Sequence, residues 1–242
     1  MHEVPLRQGS LRERKRAATI EEIKSVALGQ LAADSGQMTL RGIAREVGMT
    51  VQSLYHYFPS RDNLITALVA DAHNALADTI QAAGQESRAL PAPERIVRIA
   101  LAYRRWAVEH RARFLLIYGT PVPGYEAPEG GPTTGAARRL GAVFTDVIFS
   151  DWTASEIAGI RTPREDAQAT RALATAAELV SPGLPPAAFG LGLELWGRIH
   201  GLVILEILGH LPWLGTSAAA HYHSAVLRAA ADIEHIRRPG TT

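Results

Sequence analysis

Residues 39–68, TLRGIAREVGMTVQSLYHYFPSRDNLITAL, decide the fold, because they read as two short helices, a tight turn and the start of a third. Leu40, Ile43, Ala44 and Val47 recur at three- and four-residue spacing, so a helix is expected over 40–47 with one apolar face. Thr39 caps its first turn and Gly48 ends it. Thr50 caps a second helix whose inner side is Val51, Leu54, Tyr57 and Phe58, leaving Gln52, Ser53, Tyr55 and His56 on the outer side. Pro59 stops that helix. Ser60 caps the next, with Asp62 in its electropositive first turn. The outer face of the second helix carries polar groups and one amphipathic ring, spaced to reach the floor and wall of a DNA major groove.

The same residues resemble the DNA-binding domain of the TetR/AcrR family of bacterial transcriptional regulators. The resemblance lies in Thr39, the turn at Gly48, the run Leu54, Tyr55, His56, Tyr57 and Phe58, and the exit Pro59, Ser60, Arg61, and it extends over about residues 15–80. It implies that Thr39, Thr50, Tyr55 and Arg61 hold phosphates, while Arg41, Gln52, Ser53 and His56 meet base edges. Val51 and Gln52 depart from the small and basic residues common in the family, so base preferences do not carry over. Tyr57 and Phe58 are expected in the core.

Outward from this stretch, 242 residues with 47% hydrophobic content are ample for one large or two small domains. A net charge of +1 gives no general affinity for nucleic acid, so the placement of charge matters. Residues 1–16 hold five basic side chains, Arg7, Arg12, Arg14, Lys15 and Arg16, against Glu3 and Glu13. Residues 1–15 are expected as a mobile basic arm, either lying along DNA or simply solvated. Cysteine is absent, which excludes disulfides and thiol redox sensing within the chain and fits a reducing cytoplasm. The first ten residues hold no apolar run, so no secretory leader is expected. The apolar stretch 190–214 contains Glu194, Arg198, His200, Glu206 and His210, and reads as a buried helix of a soluble protein.

A first helix is expected from about Thr19 to Asp34, with Gly36 as its stop, and a long helix from Ser60 to about Ala83. Only the first turns of the long helix belong to the DNA-binding unit, so it acts as a lever, as the resemblance also implies. The expected division is 1–15 arm, 16–65 helix-turn-helix domain and 66–242 helical ligand-binding and dimerisation domain. Residues 84–93 break the chain. All-helical segments follow over 94–109, 111–118, 135–152, 163–180, 186–211 and 216–236. Four glycines and four prolines in 119–132 mark a surface loop or flap bordering a ligand entrance.

Two features of the helical half bear on function. Tyr103, Trp106, Phe114, Tyr118 and Phe144, with Trp196 and His200 on one face of the penultimate helix, either line a pocket for a small hydrophobic molecule or fill the core as plain packing. Arg104 and Glu109 are placed to flank its entrance. Trp196, His200 and Gly201 also resemble the Trp-x-x-x-His-Gly signature of one C-terminal domain type of the family. The last two helices are apolar almost all round, and Gly197, Gly201, Leu202, Leu205, Tyr222 and Val226 are expected at a two-fold homodimer interface, as the family implies, or else within an intrachain bundle.

No nucleophile elbow, phosphate loop, dinucleotide fingerprint or metalloprotease helix occurs, so no enzyme, cofactor or metal is expected. His221 and His223 point about 200° apart on a helix, which suits no shared metal. The expectation is an all-α, dimeric regulator, most simply a repressor released from a two-fold operator by its ligand. The alternatives are an activator or corepressor-dependent regulator, and, from another class, a helical small-molecule binding protein or enzyme with a vestigial helix-turn-helix.

Overall fold

The computed structural model describes residues 10–33, 38–160 and 167–238, and among them every regular element is helical. The first four are α1 (Leu11–Ala33), α2 (Leu40–Val47), α3 (Val51–Tyr55) and α4 (Arg61–Glu86). Their boundaries follow from hydrogen bonds made by capping side chains. Thr39 accepts from Gly42 N at 3.1 Å, Thr50 from Ser53 N at 3.0 Å and Ser60 from Asn63 N at 3.1 Å, each satisfying an amide the helix cannot. Gly48 ends α2 at φ 77°, a backbone region that favours glycine. Ile23 and Ala27 of α1 meet Ile43, Ala44, Leu54, Phe58, Leu64, Ile65 and Leu68 in one apolar cluster.

The first helix departs from expectation. It begins at Leu11, not Thr19, because Ser10 and Glu13 form a reciprocal cap: Ser10 N donates to Glu13 Oε2 at 2.6 Å and Glu13 N donates to Ser10 Oγ at 3.3 Å. Arg12, Arg14, Lys15 and Arg16 therefore ride on α1 and not on an irregular arm. The rest of that arm, residues 1–9, and the stop at Gly36 lie outside the described residues.

The chain continues as α5 (Ala92–Glu109), α6 (Arg111–Tyr118), α7 (Pro132–Phe149), α8 (Ala154–Ala158), α9 (Ala167–Val180), α10 (Pro186–Ile207), a 3-10 turn (Pro212–Ser217) and α11 (Ala218–Arg237). Helix α4 runs one turn further than expected. Helix α10 stops four residues early, where Gly209 takes φ 77° ahead of Pro212. The short α8 was not expected. It is held by a Thr153–Glu156 capping box, with Arg237 of α11 donating to Glu156 Oε1 at 2.9 Å. By length and composition α10 could cross a membrane, yet it packs on α5, α7, α9 and α11 and carries Glu194, Arg198 and Glu206.

These helices enclose a second, larger core containing Leu76, Ile80, Tyr103, Phe114, Phe144, Leu195 and Ile199. Helix α4 contributes to both cores: Leu64, Ile65 and Leu68 to the first, Leu76, Ala77 and Ile80 to the second. Its packing on α7 is close at Gly84, where a Cβ would lie 2.6 Å from Val147 Cγ1. Arg139 of α7 donates to Asn74 O at 3.2 Å and to Asp78 Oδ1 at 2.6 Å, fixing the register of the pair. Loop 119–131 does not border the larger core's cavity as expected. Val122 and Tyr125 pack on the first cluster, and the Tyr125 hydroxyl lies 3.0 Å from Thr66 Oγ1 on α4.

Gly84→Leu forces α4 and α7 apart and is expected to destabilise the fold by roughly 1–3 kcal/mol, the usual range for overpacking. Urea denaturation checks this, with an unchanged midpoint counting against the close contact.

Candidate nucleic-acid interface and buried cavity

Helix α3 is short and presents a polar outer side. Leu54 is buried beneath it, while Gln52, Tyr55 and His56 are exposed and Ser53 is half-buried, its hydroxyl 2.9 Å from Thr50 Oγ1. Arg41 is exposed on α2. Thr39 and Thr50 use their side-chain oxygens as caps and remain exposed at the two helix starts, where amides and hydroxyls together suit an anion. Arg61 is less free than expected: its Nε donates to Met38 O at 3.1 Å and Nη1 lies 3.7 Å from Asp62, so it braces the segment entering α2. Arg16 of α1 stacks over the Tyr57 ring at 4.9 Å and approaches the His56 carbonyl. The sequence named Arg16 only as part of the basic N-terminal run and did not place it beside α3.

The aromatic residues of the larger core divide into two groups. Tyr103, Tyr118, Phe144 and Trp196 line a cavity of about 260 Å³. Trp106 and Phe114 are buried packing, and His200 sits behind the wall, stacked on Trp196 with ring centroids 4.6 Å apart and its Nδ1 2.7 Å from the Tyr103 hydroxyl. His73 and Thr145 line the cavity without having been expected. His73 was legible as the one polar member of the stripe Val69, His73, Leu76 and Ile80. Arg104 and Glu109 do not flank the opening. Arg104 pairs with Glu206 through two hydrogen bonds, one of 2.8 Å, and Glu109 is exposed at the end of α5.

Burial governs protonation around the cavity. It pushes the Tyr103 hydroxyl well above the ordinary phenol range and Tyr118 up to about 12, so both remain phenols. Burial also lowers His73 and His200 below the ordinary value, against a hydrogen bond from His73 to Val69 that opposes the shift. Around pH 7 the cavity wall therefore holds neutral rings. Among the described residues, no Asp, Glu, Lys or Arg lines it.

Helices α10 and α11 leave an apolar outer surface. Leu193, Leu205, Leu208 and Leu227 are exposed, Leu202 is half-buried, and a Cβ built on Gly197 or Gly201 meets nothing within 4 Å. Tyr222 and Val226 turn the other way. Both are 2% exposed in the chain's own core, the Tyr222 hydroxyl donating to Ala100 O at 2.9 Å, so they are unavailable to a partner's surface.

A helix-turn-helix head joined by one long helix to an all-helical body with an apolar cavity defines the class, and comparison with known proteins gives the family. Residues 96–229 match the family described as "Tetracyclin repressor-like, C-terminal domain" and residues 33–68 match "Bacterial regulatory proteins, tetR family". The chain belongs to the TetR family of bacterial regulatory proteins. It is 42% identical over 130 residues to the HTH-type transcriptional regulator Rv1816 of Mycobacterium tuberculosis, an alignment covering 52% of this chain and 55% of that protein. The chain thus spans about half the length of the curated relatives it matches. Across 91% of this chain and 98% of the other, it resembles the crystal structure of the candidate regulatory protein SCO4313, with a TM-score of 0.72 and 32% identity. A TetR-family structure from Shewanella sp. PV-4 shares the fold, with a TM-score of 0.58, 16% identity, and coverage of 87% of this chain and 97% of that one.

Because His73 and His200 charge less readily folded than unfolded, the unfolded chain takes up their protons first. Their contribution to stability is complete above the ordinary value of 6.5 and is lost as pH falls from there through the lower folded values. The urea midpoint is expected to decline over that interval, and the double variant His73→Asn, His200→Asn to show a flatter decline. Parallel profiles for the two proteins would contradict the buried, neutral rings.

Proposed function

We propose that this chain is a DNA-binding transcription regulator, a repressor that leaves a two-fold related operator when a small hydrophobic molecule occupies the cavity. The observation that carries this reading is α4, which begins six residues after the end of α3, contributes to both cores and lines the cavity through His73 and Ile80. A molecule that changes the packing around His73 and Ile80 biases the same rigid element that orients α3. The relatives named as transcriptional regulators support the DNA-binding part of the reading. The division proposed is residues 16–65 for DNA, with the body from 66 onward for ligand and pairing, in a cytoplasmic protein without catalytic chemistry.

In this reading Gln52, Ser53, His56 and Arg41 meet base edges, while Thr39, Thr50 and Tyr55 hold the backbone and Arg61 braces the entry to α2. Two copies pair through α10 and α11, with Gly197, Gly201, Leu202 and Leu205 facing their mates, so that the two α3 helices meet half-sites about 34 Å apart, one turn of DNA. A gel shift on the DNA flanking its own gene, with and without a panel of small hydrophobic compounds, tests the whole scheme. Release by a compound supports a repressor. Binding only with a compound turns the reading to corepression, and binding under neither condition removes it.

Gln52→Ala and His56→Ala are expected to relax preference at individual base pairs, by about 1–3 kcal/mol where a bidentate contact is lost, as read from competition with single-base operator variants. Uniform weakening across all sequences would instead make these residues backbone contacts.

Gly201→Leu places a side chain in open space within the protomer, so the variant is expected to fold and to sediment as a monomer with much weakened operator binding. A dimer of unchanged affinity would move the pairing surface away from α10.

A further inference from the structure

Resting on the reading of the cavity as the effector site, we infer that His73 is its specificity residue, and that the ligand is a neutral, largely apolar molecule bearing one hydrogen-bond donor, such as a hydroxyl, presented to His73 Nε2. The argument begins with the ring's other nitrogen. His73 Nδ1 lies 2.9 Å from Val69 O, and because a carbonyl only accepts, Nδ1 carries the proton. The neutral ring then holds its lone pair on Nε2, an acceptor. Among the described residues no hydrogen bond to this atom occurs, although His73 lines the cavity.

Two other polar groups of the wall, on Thr145 and Tyr103, are already engaged. Thr145 Oγ1 lies 2.9 Å from Ala142 O and 2.5 Å from Ser181 Oγ, and the Tyr103 hydroxyl is shared with His200. The Tyr118 hydroxyl and the Trp196 indole lie beside that same Tyr103 hydroxyl and act on it electrostatically. His73 Nε2, an unpartnered nitrogen acceptor in a mostly apolar wall, favours a donor over a bare hydrocarbon and disfavours a carboxylate, which brings only acceptors and a charge into a site with no cation to meet it. The space of about 260 Å³, at about 30 Å³ per water volume, accommodates roughly nine non-hydrogen atoms.

The probes that test this are 4-propylphenol, propylbenzene and 4-propylbenzoate, titrated calorimetrically at pH 7 into the full chain. Wild type is expected to bind the phenol roughly tenfold more tightly than the hydrocarbon and the benzoate not at all. His73→Phe, or His73→Leu should the first variant unfold, is expected to bind the phenol and the hydrocarbon equally. Ala137→Trp, which fills the cavity from its exposed rim, is expected to bind neither. A phenol preference that survives both His73 variants, or a benzoate that binds as well as the phenol, overturns the assignment of His73 while leaving the cavity as the binding site. Binding undiminished in Ala137→Trp, or no binding of phenol or hydrocarbon to wild type, overturns the cavity reading and this inference with it.

Discussion

The close contact of α4 with α7 is the constraint on which the rest of the molecule depends. Gly84 lets Val147 approach to a distance that no side chain permits, and Arg139 clamps the middle of α4 through Asn74 and Asp78. With its distal half fixed in this way, α4 projects toward the first core as a stiff rod. Leu64, Ile65 and Leu68 at its near end then supply the surface on which α1, α2 and α3 assemble. A helix-turn-helix of this size buries little apolar area by itself, so a preformed helical edge is a substantial part of its support.

The cavity follows from the same arrangement. Where α4 and α7 part company with α10, large rings from α5, α6 and α10 leave a space that their shapes do not fill. The Tyr103 hydroxyl and the His200 imidazole satisfy each other, and burial keeps both uncharged. The wall thus holds polar atoms but no charged side chain among the described residues, the setting on which the selectivity proposed for His73 rests.

The head was readable in the sequence because its signals are local: Thr39, Thr50 and Ser60 each cap within three residues, and Gly48 turns the chain on its own. The start of α1 was equally local, in the Ser10–Glu13 pair, and was passed over because a run of basic residues looks like an arm. The body was readable as helices but not as contacts. Tyr222 and Val226 lie on an apolar stripe that any partner could cover, and only tertiary packing shows that α5 covers it from within the chain. In the same way, spacing alone could not separate Tyr118, which lines the cavity, from Phe114, which is fully buried four residues earlier. The missed His73 looked like a polar interruption of a lever, whereas its ring is part of the wall.

Val122 and Tyr125 pack on the first core and α6 touches α1, which gives the head a second attachment to the body. A head held by one helix alone can both tilt and spin about that helix. With loop 119–131 fastened alongside, the two connections work as a parallel linkage, in which spin stretches one member while tilt flexes both together. In a symmetric pair, tilt without spin changes the separation of the two reading helices while preserving the faces they offer. Under the proposed pairing, control becomes a matter of span, set by how far apart two otherwise unaltered surfaces are held.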